Sequence, residues 1–350
     1  MSIISDNTAE QLIHDLVAIP SPSREEATAS QFLVDWMTQN GYDQAFVDEA
    51  GNAVGIIGEG EREIVLLGHI DTFPGFPEVR VDGRKLYGRG SVDAKGPLCT
   101  FAVAARQATL KDNVRVVVIG AVEEEAATSK GAHYAVNQYN PDFCVIGEPS
   151  HWDRITLGYK GRLLLDWRWE GGMSHSAGDA LSPAEHAVNY WMRVKTYADT
   201  YNTDINSIFA KFDASIRDIN TRLEGVNGIA EMTIGFRLPP DIIPQDIVDQ
   251  FPPTDGATLE QRGGEVAFTS DKNSELSRYF RRAIRASDGN PRFLYKTGTA
   301  DMNVVGPIWN CPIVAYGPGD SALDHTPHEH LDLDEYLCAI GVLTHVLEAI

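Results

Sequence analysis

Gly68-His69-Ile70-Asp71-Thr72 follows directly on the apolar run Ile64-Val65-Leu66-Leu67. A histidine and an aspartate at the end of a buried strand carry a desolvation cost that something must offset. A metal ion would do so: the imidazole of His69 binds it, and Asp71 accepts the other ring N–H and fixes the tautomer. Further ligand types follow at Asp93, Glu123-Glu124-Glu125, Glu148 and His325. Two imidazoles with several carboxylates suit zinc or cobalt. Asp93 has two oxygens and is the candidate bridge between two ions. Such a pair, about 3.5 Å apart, is a hydrolytic centre. A glutamate of the triplet left clear of the ions would serve as general base.

Each piece also has a plain structural reading. His69 and Asp71 could form a hydrogen-bonded turn, the triplet a solvated cluster, and Glu148 a water-facing residue before Pro149. His325 competes with His328 and His330 as a ligand. Coincidence argues against the plain readings. His69, the triplet and Glu148 come directly after predicted strands and His325 a little beyond one, and an open parallel sheet gathers its site at the carboxyl ends of strands.

The elements that must position them alternate. Asn7 or Thr8 can cap a first helix carrying Leu12, Ile13, Leu16 and Val17. A second follows Ser23, with Glu25 and Glu26 in its first turn, Phe32, Leu33, Trp36 and Met37 buried, and Gly41 at its end. Gly51-Asn52 reads as a hairpin turn. Strands over 63–67, 114–120 and 143–146 are then separated by helices from Lys95 and Lys130. This rhythm predicts an α/β fold with a mostly parallel sheet and helices on both faces. After Arg154 the texture changes. Leu163, Leu165, Trp167 and Trp169 alternate with polar residues, as on a half-exposed strand. A helix follows Ser182-Pro183, strands cover 229–238 and 257–269, and a short helix lies around 245–250 between them. Helix, strand and helix return at 273–286, 311–316 and 332–350. The reading is therefore a catalytic domain of residues 1–154 and 269–350, interrupted by an α+β domain of residues 155–268 with an antiparallel sheet.

The chain has 350 residues, 43% hydrophobic and 23% charged, with a formal net charge of -21. That is ordinary globular composition. The charge opposes nucleic-acid binding and attraction to anionic membranes. Cys99, Cys144, Cys311 and Cys338 form no CxxC pair and read as buried small hydrophobes, in keeping with a cytoplasmic protein. No signal peptide or apolar membrane-spanning run is visible. Two short motifs mislead. Gly88-Arg89-Gly90 lacks the third glycine and the later acidic residue of a dinucleotide fingerprint. Lys296-Thr297-Gly298 lacks the Ser-x-x-Lys partner of a serine acylase.

Taken together, His69-Ile70-Asp71, Gly88-Arg89-Gly90-Ser91-Val92-Asp93-Ala94-Lys95-Gly96, Glu123-Glu124-Glu125 and Gly147-Glu148-Pro149 resemble the motifs of the M20 metallopeptidases, in order and over nearly the whole chain. Gly158-Tyr159-Lys160-Gly161, the 296–303 segment, Tyr316–Ser321 and Asp324-His325-Thr326-Pro327 resemble the LysW-lysine and LysW-ornithine hydrolases within that family. The resemblance implies a zinc-peptidase-like domain with an inserted ferredoxin-like lid and dimerisation domain. It implies a homodimer with two divalent ions, Zn2+ or Co2+. The ligands would be His69, Asp93, Glu125, Glu148 and His325, with Asp93 bridging. Asp71 and Glu124 would be catalytic, Glu124 as general base. A one-residue slip, with Glu123 as base and Glu124 as ligand, stays open. His175, in Gly171-Gly172-Met173-Ser174-His175-Ser176, would reach the partner's site and stabilise an oxyanion. Arg237 would grip a substrate carboxylate, and Thr299 and Asn303 are further candidates for substrate contact. The implied reaction is amide hydrolysis on an N-acylated or carrier-linked lysine or ornithine in amino-acid biosynthesis. A dipeptidase or carboxypeptidase shares every catalytic residue with it. A non-enzymatic metal-binding protein is the third reading, opposed by an intact ligand set with a spare glutamate. Like-charge repulsion counts against docking of an acidic carrier.

Overall fold

The computed structural model describes residues 4–172 and 180–350. The chain divides into two compact units: Met1–Gly158 with Ser270–Tyr295 and Ala300–Ile350, and Tyr159–Thr269 with Lys296–Thr299. The first unit opens with α1 (Asp6–Ala18), α2 (Ala27–Gln39), β1 (Gln44–Val47), β2 (Ala53–Ile57), β3 (Arg62–His69), β4 (Arg80–Asp82) and β5 (Lys85–Tyr87). It continues through α3 (Lys95–Gln107), β6 (Val114–Ala121), α4 (Lys130–Ala135), β7 (Phe143–Gly147) and β8 (Arg154–Tyr159). The second unit holds β9 (Gly161–Gly172), α5 (Pro183–Tyr201), β10 (Asp213–Glu224), β11 (Asn227–Leu238), α6 (Pro244–Gln250), β12 (Ala257–Glu265) and β13 (Phe268–Thr269). The chain then adds α7 (Glu275–Ala286), β14 (Arg292–Lys296), α8 (Met302–Trp309), β15 (Ile313–Tyr316), β16 (His330–Asp332) and α9 (Leu333–Ala349).

The main sheet of the first unit runs in the order β1-β2-β6-β3-β7-β15-β8. Its four central strands, β6, β3, β7 and β15, are parallel. The flanking pairs β1–β2, β2–β6 and β15–β8 are antiparallel. The sheet is thus mixed, with its parallel part confined to the centre. The first flank forms because β1 and β2 need only a tight turn: the Asp48 carboxylate accepts the N–H groups of Ala50, Gly51 and Asn52, and Gly51 adopts φ +102°. The central strands read as continuous apolar runs because they are covered. Helices α2, α3, α4, α7 and α8 pack on the sheet, and α9 packs on α3. Every residue of α3 from Lys95 to Ala105 is buried. That depth requires glycine where β3 and β7 end. A Cβ on Gly68 would meet Leu98 at 3.3 Å, and one on Gly147 would come within 2.8 Å of the Gly68 Cα and 3.0 Å of Phe101. The close seat of α3 sets the two strand ends that carry His69 and Glu148.

Several local expectations shift. Helix α1 starts earlier than the Asn7 or Thr8 cap implies, because the Ser5 hydroxyl accepts the Thr8 N–H. Helix α2 begins at Ala27, after both glutamates: the Glu26 carboxylate is occupied by the N–H groups of Arg24 and Glu123. Phe32 and Trp36 are only half-buried. Residues 302–309, where the sequence predicts no helix, form α8 despite Pro307. The cysteines form no disulfide, but Cys311 is half-buried and Cys338 exposed, contrary to the expectation of four buried thiols.

In the second unit the sheet order is β10-β11-β9-β12, antiparallel throughout. Leu163, Leu165, Trp167 and Trp169 alternate inward along β9 and form a core with Phe236 of β11 and Tyr190 and Val194 of α5. Ser182 and Glu185 build a reciprocal capping box at the start of α5. The boundaries also move. Most of β8 belongs to the first unit, where it pairs with β15. Lys296–Thr299 belongs to the second, where Lys160 N–H donates to the Lys296 carbonyl and Thr299 Oγ1 to the Lys160 carbonyl. Among the described residues no helix is long and apolar enough to cross a membrane.

Candidate metal centre

The ends of the parallel strands deliver the first groups. His69 is the last residue of β3 and is buried; Glu148 follows β7 directly and is 9% exposed. Asp93 stands two residues before α3, at a cis peptide bond to Ala94. The triplet follows β6 by one residue. His325 lies on the loop after β15, in the left-handed region at φ +61°, its ring stacked on Phe73 with centroids 4.4 Å apart.

Asp93 is the hub. Its Oδ1 lies 3.2 Å from His69 Nε2, and its Oδ2 lies 3.1 Å from His325 Nε2. Glu148 Oε1 is 3.9 Å from His69 Nε2, and Glu125 Oε1 is 3.0 Å from His325 Nε2. Two triads therefore share one carboxylate: His69, Asp93 and Glu148, and His325, Asp93 and Glu125. The donor atoms of the second triad all lie within 4.8 Å of one another. His330, by contrast, is tied to the His328 carbonyl and packs on Tyr87 in the small sheet of β16, β5 and β4.

The ring of His69 argues for a cation. Its Nδ1 faces the Asp71 carbonyl at 3.0 Å, an acceptor, so Nδ1 carries a proton. In the neutral ring Nε2 is then a lone pair opposite a carboxylate oxygen. Only a proton or a metal between them makes that contact favourable. In the metal-free protein a proton takes the place. Burial opposes charge on His69, but hydrogen bonds to Asp71 and Asp93 prevail and raise it well above the usual imidazole range. Hydrogen bonding to Asp93, then to Glu125, raises His325 to about 10. Burial opposes ionisation of Asp93, yet hydrogen bonds from His325 and His69 hold it well below the usual carboxylate range. The donor set of Asp93, Glu125 and His325 fits a divalent ion.

Asp71 departs in part from its expected task. Its carboxylate is 3.5 Å from His69 Nδ1, farther than its own carbonyl. Shorter contacts hold it elsewhere: it accepts the N–H groups of Glu124 and Glu125 at 3.1 and 3.0 Å and the Ser23 hydroxyl at 2.7 Å. Asp71 thus fixes the peptides that present both glutamates. Burial raises Glu124 well above the usual carboxylate range; His69 opposes this, and Glu148, Asp301 and Glu125 add to it. Glu123 turns away at φ +59°, accepting from Thr128 Oγ1 at 2.6 Å and lying 3.7 Å from Arg24.

Among the candidate substrate residues, the second unit brings Arg237 and Thr299 together at 2.6 Å. Asn303 lies in α8 of the first unit and caps the Ala300 N–H at 3.0 Å. His175 lies outside the described residues. Sequence reasoning missed Ser23 and Glu26, whose partners are 48 and 97 residues away. It also missed Arg89 and Glu329, although Glu329 sits four residues after His325.

Residues 65–349 match peptidase family M20/M25/M40. The chain belongs to this family. The chain is similar to a LysW-lysine hydrolase from Deinococcus radiodurans, 48% identical over 97% of this chain and 96% of that one. A putative LysW-lysine/LysW-ornithine hydrolase from Thermococcus kodakarensis is 39% identical over 99% of this chain and 93% of that one. The fold matches the M20 family metallo-carboxypeptidase Sso-CP2 from Sulfolobus solfataricus with a TM-score of 0.79, covering 97% and 98% of the two chains at 16% identity. As an M20 protein the chain is a metal-dependent hydrolase of amide bonds.

Proposed function

We propose that this enzyme releases lysine or ornithine from a carrier-linked or other N-acyl precursor, in the cytoplasm, using two zinc ions with cobalt as an alternative. The observation that carries the two-ion reading is the Asp93 carboxylate set between two imidazoles, each with its own second carboxylate. The substrate reading is supported by near full-length similarity to the LysW-lysine hydrolase. His69, Asp93 and Glu148 would hold one ion, and His325, Asp93 and Glu125 the other. Divalent ions there supply a polarised carbonyl and a water of lowered pKa.

The residues around them do the rest. Glu124 takes a proton from the attacking water and passes it to the leaving amine. Its raised affinity for a proton, caused by burial first, suits a group that must accept one and hold it briefly. Asp71 keeps Glu124 and Glu125 in place through their N–H groups. Glu125, lying on His325 at 3.0 Å, favours Glu124 over Glu123 as the base. Arg237, oriented by Thr299, would pair with the substrate carboxylate, and Asn303 would complete substrate contact. His175 would stabilise the oxyanion in the partner's site.

The second unit would serve as lid and dimerisation domain. Exposed Ile219, Leu223 and Val226, on and beside the edge strand β10, support a partner there. Mixing His175→Ala protein with a His69→Ala variant should restore activity in heterodimers; no recovery would remove the shared site. The decisive experiment compares carrier-linked lysine, N-acetyl-lysine, N-acetyl-ornithine and dipeptides with the zinc- or cobalt-loaded enzyme. Carrier-linked or N-acyl lysine and ornithine should be turned over best. Preference for dipeptides would overturn the reading in favour of a peptidase.

A further inference from the structure

Glu329 is a buried carboxylate that the mechanism above does not use. It is 1% exposed. Its Oε2 accepts from Arg89 at 2.6 Å, and its Oε1 accepts the N–H groups of Val92 and Asp93 at 3.0 and 3.2 Å. Arg89, 8% exposed, extends the same network. It donates to the His325 carbonyl at 3.4 Å and the Gly75 carbonyl at 3.3 Å. One buried ion pair therefore ties the backbone of Asp93 to the backbone of His325.

The two triads differ in what supports them. His69 is paired in the sheet opposite Ala121, and Glu148 follows directly on β7. Their backbones are set by strand register. His325 has no strand beneath it, and its backbone lies in the left-handed region, which few non-glycine residues adopt, histidine more often than most. Such a conformation persists only where the surroundings hold it. Phe73 stacks on the ring, and Arg89 holds the carbonyl.

We propose that Arg89 and Glu329 are a positioning pair that fixes Asp93 and His325 for one metal position, the one completed by Glu125. This rests on the two-ion reading above. The pair touches neither substrate nor ion; it sets the spacing between the shared carboxylate and the imidazole that depends on it. The other position shares Asp93, but its His69 and Glu148 are set by strand ends, so loss of the pair acts unequally on the two.

The test is calorimetric titration of the metal-stripped protein with Zn2+, repeated with Co2+ and followed by its visible absorption. Wild type should bind two equivalents. His325→Ala identifies which binding event belongs to the Glu125 position. Glu329→Gln places an amide donor against the Arg89 guanidinium, and Arg89→Lys removes the fork. Each should weaken the Glu125 position by about 10–100-fold and the other, which shares only Asp93 with it, by at least about threefold less. Equal weakening of both positions, or no change in either, overturns the proposal. So does loss of the metal-free fold in both variants by circular dichroism, since the pair would then serve folding generally. One equivalent bound to wild type would instead overturn the two-ion reading itself, and with it the proposal.

Discussion

Glu124 and His325 carry opposite obligations at the residue scale. Glu124 must be free to accept a proton, and His325 must give one up. Glu124→Gln keeps the shape and removes the basicity. It should lower turnover by about 10²–10⁴-fold while metal binding, followed by calorimetry, stays unchanged. Retained activity would move the base to Glu123. For His325 the sign is fixed by its partners. Asp93, then Glu125, raises its folded value to about 10, above that of a free imidazole. The protonated ring thus stabilises the metal-free protein fully below about pH 6.5, and this contribution is lost as pH rises toward 10. A metal must displace that proton. Metal affinity should therefore climb with pH through neutrality, by about tenfold per unit for each proton released. Titrations at pH 7 in buffers of different ionisation heat should show the release; identical heats in all buffers would contradict it.

At the scale of elements, the site depends on how closely α3 sits against the strand ends. Gly147→Ala would drive a methyl toward the Gly68 Cα and Phe101. It should destabilise the first unit by about 1–3 kcal/mol in urea unfolding, with reduced metal affinity through Glu148. Wild-type stability would show that β7 and β3 part without cost. The central strands were legible because both faces are covered and the sequence runs apolar without interruption. His69, Glu125, Glu148 and His325 were legible because each ends or follows such a run, and Asp93 because it stands just before a helix in the Gly88–Gly96 motif. Strand β10 was not, because nearly all its residues are exposed and no alternation survives. Helix α8 was hidden by Pro307 and a short span. The supports of the site, Ser23, Glu26, Arg89 and Glu329, are ordinary polar residues whose partners lie in other loops. No local pattern announces a contact of that range. The Gly51-Asn52 turn announced the antiparallel pair β1–β2, but β2–β6 and β15–β8 escaped, because apolar runs mark strands and not their direction.

At the scale of the whole molecule, the described residues form one core around α3 and another around Trp167. All five candidate ligands lie in the first unit. Heating should give two transitions, and only one should respond to metal. At a zinc concentration about 100 times its dissociation constant, that unit should gain about 2.7 kcal/mol. A single transition moving as one would mean that the units unfold together. The second unit is assembled from two separate excursions, Tyr159–Thr269 and the four residues Lys296–Thr299. The shorter carries Thr299, which holds Arg237. Removing the longer stretch by one deletion in the gene would leave this fragment stranded in the host domain. Restoring the insert elsewhere would deliver Arg237 without its partner. A single deletion or a single graft therefore cannot carry Arg237 and Thr299 together.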